Sequence, residues 1–140
     1  MDDTDRSIID ALEHNARVTF TEMARTLGLS ESTVRKRVDA LESSGVIKGY
    51  SVVLDPVMLG KRAVTYLGLD AEPEMFLDIV RALSEMGEVR WLATATGDHM
   101  IMAEIWADDD ESLSRFLEER VKTIPGVMRV CPTIVQERVR

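Results

Sequence analysis

Three consecutive cations, Arg35, Lys36 and Arg37, follow a group of small hydroxylated residues, Ser30, Ser32 and Thr33. Residue types of this kind suit close recognition of a polyanion. Short polar side chains let a backbone approach base edges, and guanidinium or ammonium groups meet phosphates. The spacing places them on a helix. Val34, Val38 and Leu41 recur at i, i+4 and i+7, which gives that helix one apolar face. Ser30 is positioned as its N-cap, Leu29 as a hydrophobic staple onto Val34, and Gly45 follows the last turn. A solvated amphipathic helix would show the same pattern in isolation, so its neighbours must decide.

Other reactive side chains are sparse. His14 and His99 are the only imidazoles and Cys131 the only thiol. There is no His, Cys and carboxylate cluster with metal-ligand spacing, no Gly-rich phosphate loop and no Ser-His-Asp set. Asp108, Asp109 and Asp110 could be read as a cation site, but they suit the positive end of a helix better. The expectation is a non-enzyme with no catalytic residues, no metal and no cofactor. One cysteine cannot form an internal disulfide framework. No apolar run reaches the roughly eighteen residues of a membrane span, and there is no signal-peptide pattern. A cytoplasmic protein without a membrane partner is expected.

Net charge is −8 over 140 residues, which argues against bulk attraction to nucleic acid. The distribution is uneven. Residues 1–50 hold seven Lys and Arg against nine Asp and Glu, and residues 51–140 hold ten against sixteen. The acidity lies mainly in the second part, while the cations of the first part cluster around one helix. Local potential governs where a phosphate docks.

The elements around that helix read as a helix-turn-helix. Residues 2–15 give a first helix with Asp2 as N-cap, Asp5 at N3 and Ile8, Ile9 and Leu12 as its stripe. Thr19 to Glu22 is a capping box, stapled by Val18 and Met23, and opens a second helix that ends at Gly28. Only Leu29 and Ser30 separate it from the third. Val46 to Leu54 is rich in β-formers and is expected to pair back as a wing, ended by Asp55-Pro56. The division expected is 1–54 as a winged helix-turn-helix, 55–61 as linker and 62–140 as a second domain.

Residues 62–140 change rhythm. Strands are expected at about 62–70, 88–96, 99–107 and 127–138, with helices at about 73–86 and 109–124. This is the ferredoxin-like βαββαβ order, so the fold class is α+β. Its helices cover one sheet face. Strand 99–107 is apolar on both parities, with Ile101, Ala103 and Ile105 on one and Met100, Met102 and Trp106 on the other. A two-sided apolar strand implies that a second subunit covers the open face.

The whole chain, from about Asp2 to Val139, resembles the leucine-responsive regulator/AsnC family of transcriptional regulators. The resemblance is carried by Asp5-Arg6, Ile8-Ile9 and Asn15-Ala16-Arg17, by Leu29 to Val34 with Arg37-Val38, and by Leu41-Glu42 and Gly45 to Tyr50. In the second part it is carried by Thr96-Gly97-Asp98-His99 and Ile124-Pro125-Gly126-Val127.

That likeness implies a sequence-specific regulator that binds double-stranded DNA. It implies homodimers assembling into octamers or open arrays, and an effector such as an amino acid at the interface between dimers. Ser32, Thr33, Arg35 and Lys36 would approach bases or nearby phosphates, while Arg17, Arg37 and Lys48 would position the backbone. The effector residues implied are Thr96, Gly97, Asp98, His99, Met100, Pro132 and Thr133. Two departures stand out. The family usually has an acidic residue where this chain has Met100, and often Thr where it has Val130 and Pro132. Both remove polar groups that could hold a zwitterion, so a more apolar ligand, or none, is left open. The alternatives are an assembly or sensor protein with little DNA binding, or an enzyme like the sirohaem decarboxylases that share the architecture.

Overall fold

The computed structural model describes residues 1–137 and 139. It divides into two compact units, the first ending at Val53 and the second beginning at Leu54.

The first unit contains α1 (Asp3–His14), α2 (Phe20–Leu27) and α3 (Glu31–Ser43). Each begins on the cap its sequence supplies. Asp2 and Asp5 form a reciprocal capping box at α1, and Thr19 and Glu22 form another at α2. Ser30 caps α3 by accepting from the Thr33 N–H. Gly28 closes α2 at φ +67°, a left-handed conformation that costs a glycine little. The three stripes meet in one core of Ile8, Met23, Ala24, Val34, Val38 and Leu41, all buried.

The expected wing does not form. Among the described residues no strand precedes Ala63. A strand needs a partner for its N–H and C=O groups, and this unit contains a single β-rich run with nothing to pair it. The segment instead folds back onto the end of α3. The Ile47 N–H donates to Leu41 O, and the Tyr50 hydroxyl donates to Glu42 at 2.8 Å. Val53 is left almost fully exposed.

The second unit is a four-stranded antiparallel sheet, β1 (Ala63–Ala71), β2 (Val89–Thr94), β3 (Ile101–Ala107) and β4 (Val127–Ile134), in the order β2-β3-β1-β4. With α4 (Phe76–Ser84) and α5 (Asp110–Phe116) this is the α+β, βαββαβ arrangement expected from the sequence. The ends differ in detail. Pro73 opens a 3₁₀ turn, Pro73–Met75, ahead of α4. After α5 the helix widens into a π turn, Leu117–Val121, which keeps both of its end residues in the core. β4 stops at Ile134, and Arg138, the end of the expected strand, lies outside the described residues.

Leu67, Leu69, Ile101, Ala103 and Ile105 face the helices and are fully buried beside Ile79, Leu83 and Val121. Thr65, buried among them, donates its hydroxyl to Thr133 O at 2.9 Å, so its polar atom is satisfied. Among the described residues no helix is long and apolar enough to cross a membrane.

The turn into β4 is tight. Gly126 sits at φ +89°, and a Cβ there would stand 2.3 Å from Met75 Cβ. Gly126→Ala therefore combines overpacking with a disfavoured φ, and a loss of roughly 1–3 kcal/mol is expected. Both tryptophans, Trp91 and Trp106, belong to this unit, so their fluorescence during denaturant unfolding follows it alone. A midpoint equal to that of the unmutated protein would refute the packing argument.

Candidate functional site

The front of α3 is built from its cap outward. The Ser30 hydroxyl receives the Thr33 N–H at 3.1 Å and lies within hydrogen-bond distance of the Ser32 and Thr33 hydroxyls. Ser32 is exposed and Thr33 half-buried. Arg35 is exposed, yet aimed. Its guanidinium lies 4.8 Å over the Phe20 ring and 3.4 Å from Glu31, which also accepts from Thr21 of α2. Lys36 is exposed, and so are Lys48 and Arg17 away from the helix front. Among the described residues none of these three has a carboxylate within ion-pair distance. Their charge is free for an external anion.

Arg37 is employed differently. Its Nη1 donates to both Asp2 oxygens, at 2.8 and 2.7 Å, and to Asp5 at 2.8 Å. It clamps α3 to the capping box of α1, with only a third of its side chain exposed. The clamp occupies Nη1, so the DNA-backbone role expected of Arg37 would rest on its Nε and Nη2 donors.

The other expected site lies at one end of the sheet. Residues 95–100 connect β2 to β3, closed by the Ala95 N–H on Met100 O, with Gly97 at φ +129°. Thr96, Gly97 and Asp98 are exposed, while His99 and Met100 are half-buried. The His99 imidazole lies on Gly68, where a Cβ would come within 2.2 Å of the ring. His99 Nδ1 is closed off from solvent and 3.4 Å from Asp70 Oδ1, too poorly aligned for a hydrogen bond. Asp70 in turn accepts from Arg129 Nε at 2.6 Å, and Arg129 Nη2 donates to Asp98 O at 3.1 Å. Burial pushes the Asp70 carboxyl up, but the Arg129 guanidinium and the His99 imidazole outweigh it and hold the group below its ordinary value.

Register separates the two remaining candidates. Thr133 pairs with Tyr66 and shares the open face with the Gly68–Cys131 and Asp70–Arg129 pairs. Pro132 pairs with Leu67 and belongs to the opposite face. The structure thus gathers Thr96, Gly97, Asp98, His99 and Met100 in one loop, places Thr133 on the same face and leaves Pro132 out.

Two family models account for most of the chain. Residues 1–42 match the AsnC-type helix-turn-helix domain, and residues 64–140 match the Lrp/AsnC ligand binding domain. The chain belongs to the Lrp/AsnC family. It is 45% identical to the HTH-type transcriptional regulator LrpA of Pyrococcus abyssi over all of this chain and 99% of that one. It is 37% identical to LrpA1 of Halobacterium salinarum over 98% and 96% of the two chains. The solved structure of E. coli AsnC superposes with a TM-score of 0.88 at 25% identity, covering all of this chain and 95% of that one. This Lrp/AsnC member therefore has the two parts of a DNA-binding regulator, a helix-turn-helix and a ligand-binding domain.

Gly68, Asp70 and Arg129 were missed in the sequence. Strand register alone brings them beside residues 95–100. The one local signal was Gly68 itself, since a glycine inside a strand often marks a close approach by another group.

The Arg37 clamp has a pH signature. Hydrogen bonds from Arg37 and from the Asp5 N–H lower the Asp2 carboxyl. The Asp2 N–H and then Arg37 lower that of Asp5. Depressed carboxyls contribute stability that is present above their unfolded pKa of about 3.9 and lost as pH falls through the folded values. The first unit should therefore weaken below about pH 4. Arg37→Gln should flatten that dependence without abolishing it, because the reciprocal backbone bonds remain. Ile8 methyl NMR signals followed through an acid titration check this, and identical profiles for the two proteins would refute the clamp.

Proposed function

We propose that this Lrp/AsnC member binds operator DNA as a homodimer, with α3 in the major groove. The observation that carries the reading is the front of α3. Ser32, Thr33, Arg35 and Lys36 stand on a helix whose opposite face is locked into the core by Val34, Val38 and Leu41. A rigid helix with a small, basic front is what base-edge reading requires. Lys48 and Arg17 contact phosphates, and Arg37 holds α3 in place. The chain acts as a regulator in the manner of its named relatives and not as an enzyme.

The dimer is supported by the open face of the sheet, where Tyr66 and Trp91 stay 37% and 50% exposed with no helix over them. Higher assembly into octamers or arrays follows the family pattern. The effector is a small molecule such as an amino acid, received by Thr96, Gly97, Asp98, His99 and Met100 with Thr133. Asp70 and Arg129 bring a carboxylate and a guanidinium to that end of the sheet, offsetting the polar groups that Met100 and Pro132 remove. A ligand that fits one assembly better than another shifts the population by its differential affinity.

The test is binding to DNA upstream of the protein's own gene at several salt concentrations, with and without a pool of amino acids. Affinity should fall steeply with salt. Arg35→Ala should cost roughly 1–3 kcal/mol and blur sequence discrimination, whereas Lys48→Ala should weaken all sequences alike. Full affinity in both variants would sink the α3 assignment. An absence of binding at low salt would favour an assembly protein instead. A shift with one amino acid supports the effector site, and indifference to all of them points to another ligand.

A further inference from the structure

The front of α3 carries one cation whose direction is set before any DNA arrives. Phe20 is the first residue of α2, directly behind its Thr19 cap, and its half-buried ring packs against the core of the first unit. The Arg35 guanidinium lies 4.8 Å from the centre of that ring. Glu31 closes one side of the guanidinium. Its Oε2 accepts from the Thr21 hydroxyl at 2.9 Å, which ties the carboxylate to α2, and its Oε1 accepts from Arg35 Nη2 at 3.4 Å. Glu31 and Arg35 stand four apart on α3 with the acid N-terminal, the orientation that favours such a pair. Arg35 still keeps 56% of its side chain exposed. It is held by a ring beneath and a carboxylate beside it, with its remaining donors open. Among the described residues Lys36, the next position on α3, has no such restraint.

These two neighbours treat the two parts of a duplex differently. A loose arginine takes a phosphate as readily as a base, and a phosphate contact carries no sequence information. A phosphate that approaches Arg35 from the side of Glu31 meets a like charge. A guanine edge offers two neutral acceptors, O6 and N7, which a planar guanidinium fork meets together. That fork needs its plane fixed, and Phe20 fixes it. Ordering the side chain beforehand also removes part of the entropy that binding would otherwise lose.

We infer that Phe20 and Glu31 are positioning residues that set sequence discrimination: the ring orients the Arg35 guanidinium and the carboxylate turns phosphates away, which leaves Arg35 to a base edge. The inference rests on the reading of α3 as the DNA-reading helix.

The experiment uses the full chain and two duplexes, one from upstream of the protein's own gene and one with the same bases scrambled. The readout is the ratio of the two affinities. Glu31→Gln keeps an acceptor for Thr21. It should tighten binding to the scrambled duplex about two- to fivefold, the scale of an exposed charge pair, and so lower the ratio. Its slope of log affinity against log salt should steepen by about 0.9, as for one added phosphate contact. Phe20→Leu should lower the ratio by weakening the upstream duplex, about two- to fivefold on the scale of an exposed cation–π contact. Phe20→Tyr restores the ring and should restore the ratio. With Arg35→Ala in place, neither Glu31→Gln nor Phe20→Leu should move the ratio. A second readout needs no DNA: the Arg35 Hδ signals should lie upfield under the ring current and lose that shift in Phe20→Leu, while the Ile8 methyl signals show the core intact. An absent upfield shift, a ratio unchanged in both single variants, or equal changes in the Arg35→Ala background would overturn the inference and leave DNA binding by α3 standing. An unmutated protein that binds neither duplex at low salt would overturn the DNA reading and this inference with it.

Discussion

A reading helix must be held on one face and free on the other, and the first unit is arranged around that constraint. Val34, Val38 and Leu41 bury one side of α3 against Ile8 and Met23. Apolar packing is non-directional, so it resists removal of the helix better than it resists sliding or rotation. The Arg37 clamp supplies the missing direction. The two N–H groups of Arg37 Nη1, shared among three carboxylate oxygens, tie α3 to the N-terminus of α1, at the carboxylates that also cap that helix. The Thr21 hydroxyl on Glu31 and the Arg35 guanidinium over the Phe20 ring do the same between α2 and α3. The front of α3 is thus presented in one orientation, the preorganisation that base-edge contacts need.

The second unit follows a different rule. A sheet with helices on one face must send alternate residues to two environments. Ile101, Ala103 and Ile105 go to the core, while Met102, Glu104 and Trp106 take the other parity. That second face is not simply apolar. Glu104 is 8% exposed and accepts the Trp106 indole N–H, and Arg90 covers the ring. The Trp106 indole N–H is therefore satisfied inside the unit before any partner arrives. The exposed apolar remainder, Tyr66 and Trp91, is small enough for one chain to carry and suited to burial by a second copy.

Legibility in the sequence tracked the range of the interactions. Caps, staples and helical stripes are written within a few residues of one another. The starts of all three helices and the Gly28 turn were readable for that reason, as was the βαββαβ order. The wing failed because β-propensity at Val46 to Leu54 describes side chains that would fit a sheet and says nothing of a partner strand. The Arg37 clamp was not legible because Asp2 and Asp5 lie 35 and 32 residues away in sequence. Asp70 and Arg129, 59 residues apart, meet only through strand register. The family resemblance implies Pro132 and Thr133 together, but neighbouring residues of a strand lie on opposite faces.

An acidic chain that binds a polyanion needs its carboxylates kept from the binding face, and the first unit shows how. Five of its nine carboxylates are committed internally. Asp2 and Asp5 hold Arg37, Glu22 caps α2, Glu31 holds Thr21 and Arg35, and Glu42 accepts from Tyr50. Asp2, Asp5, Glu22 and Glu31 also stand at helix N-termini, where the helix dipole offsets part of their charge. Among the described residues Lys36, Lys48 and Arg17 have no such partners. The net charge of this unit is slightly negative, but five of its nine carboxylates are committed, whereas Lys36, Lys48 and Arg17 are not. What an approaching phosphate meets is the unpaired charge, since paired opposite charges cancel within a Debye length of about 8 Å at physiological ionic strength. Net charge is therefore a weak guide to DNA binding here, and the pairing pattern a strong one.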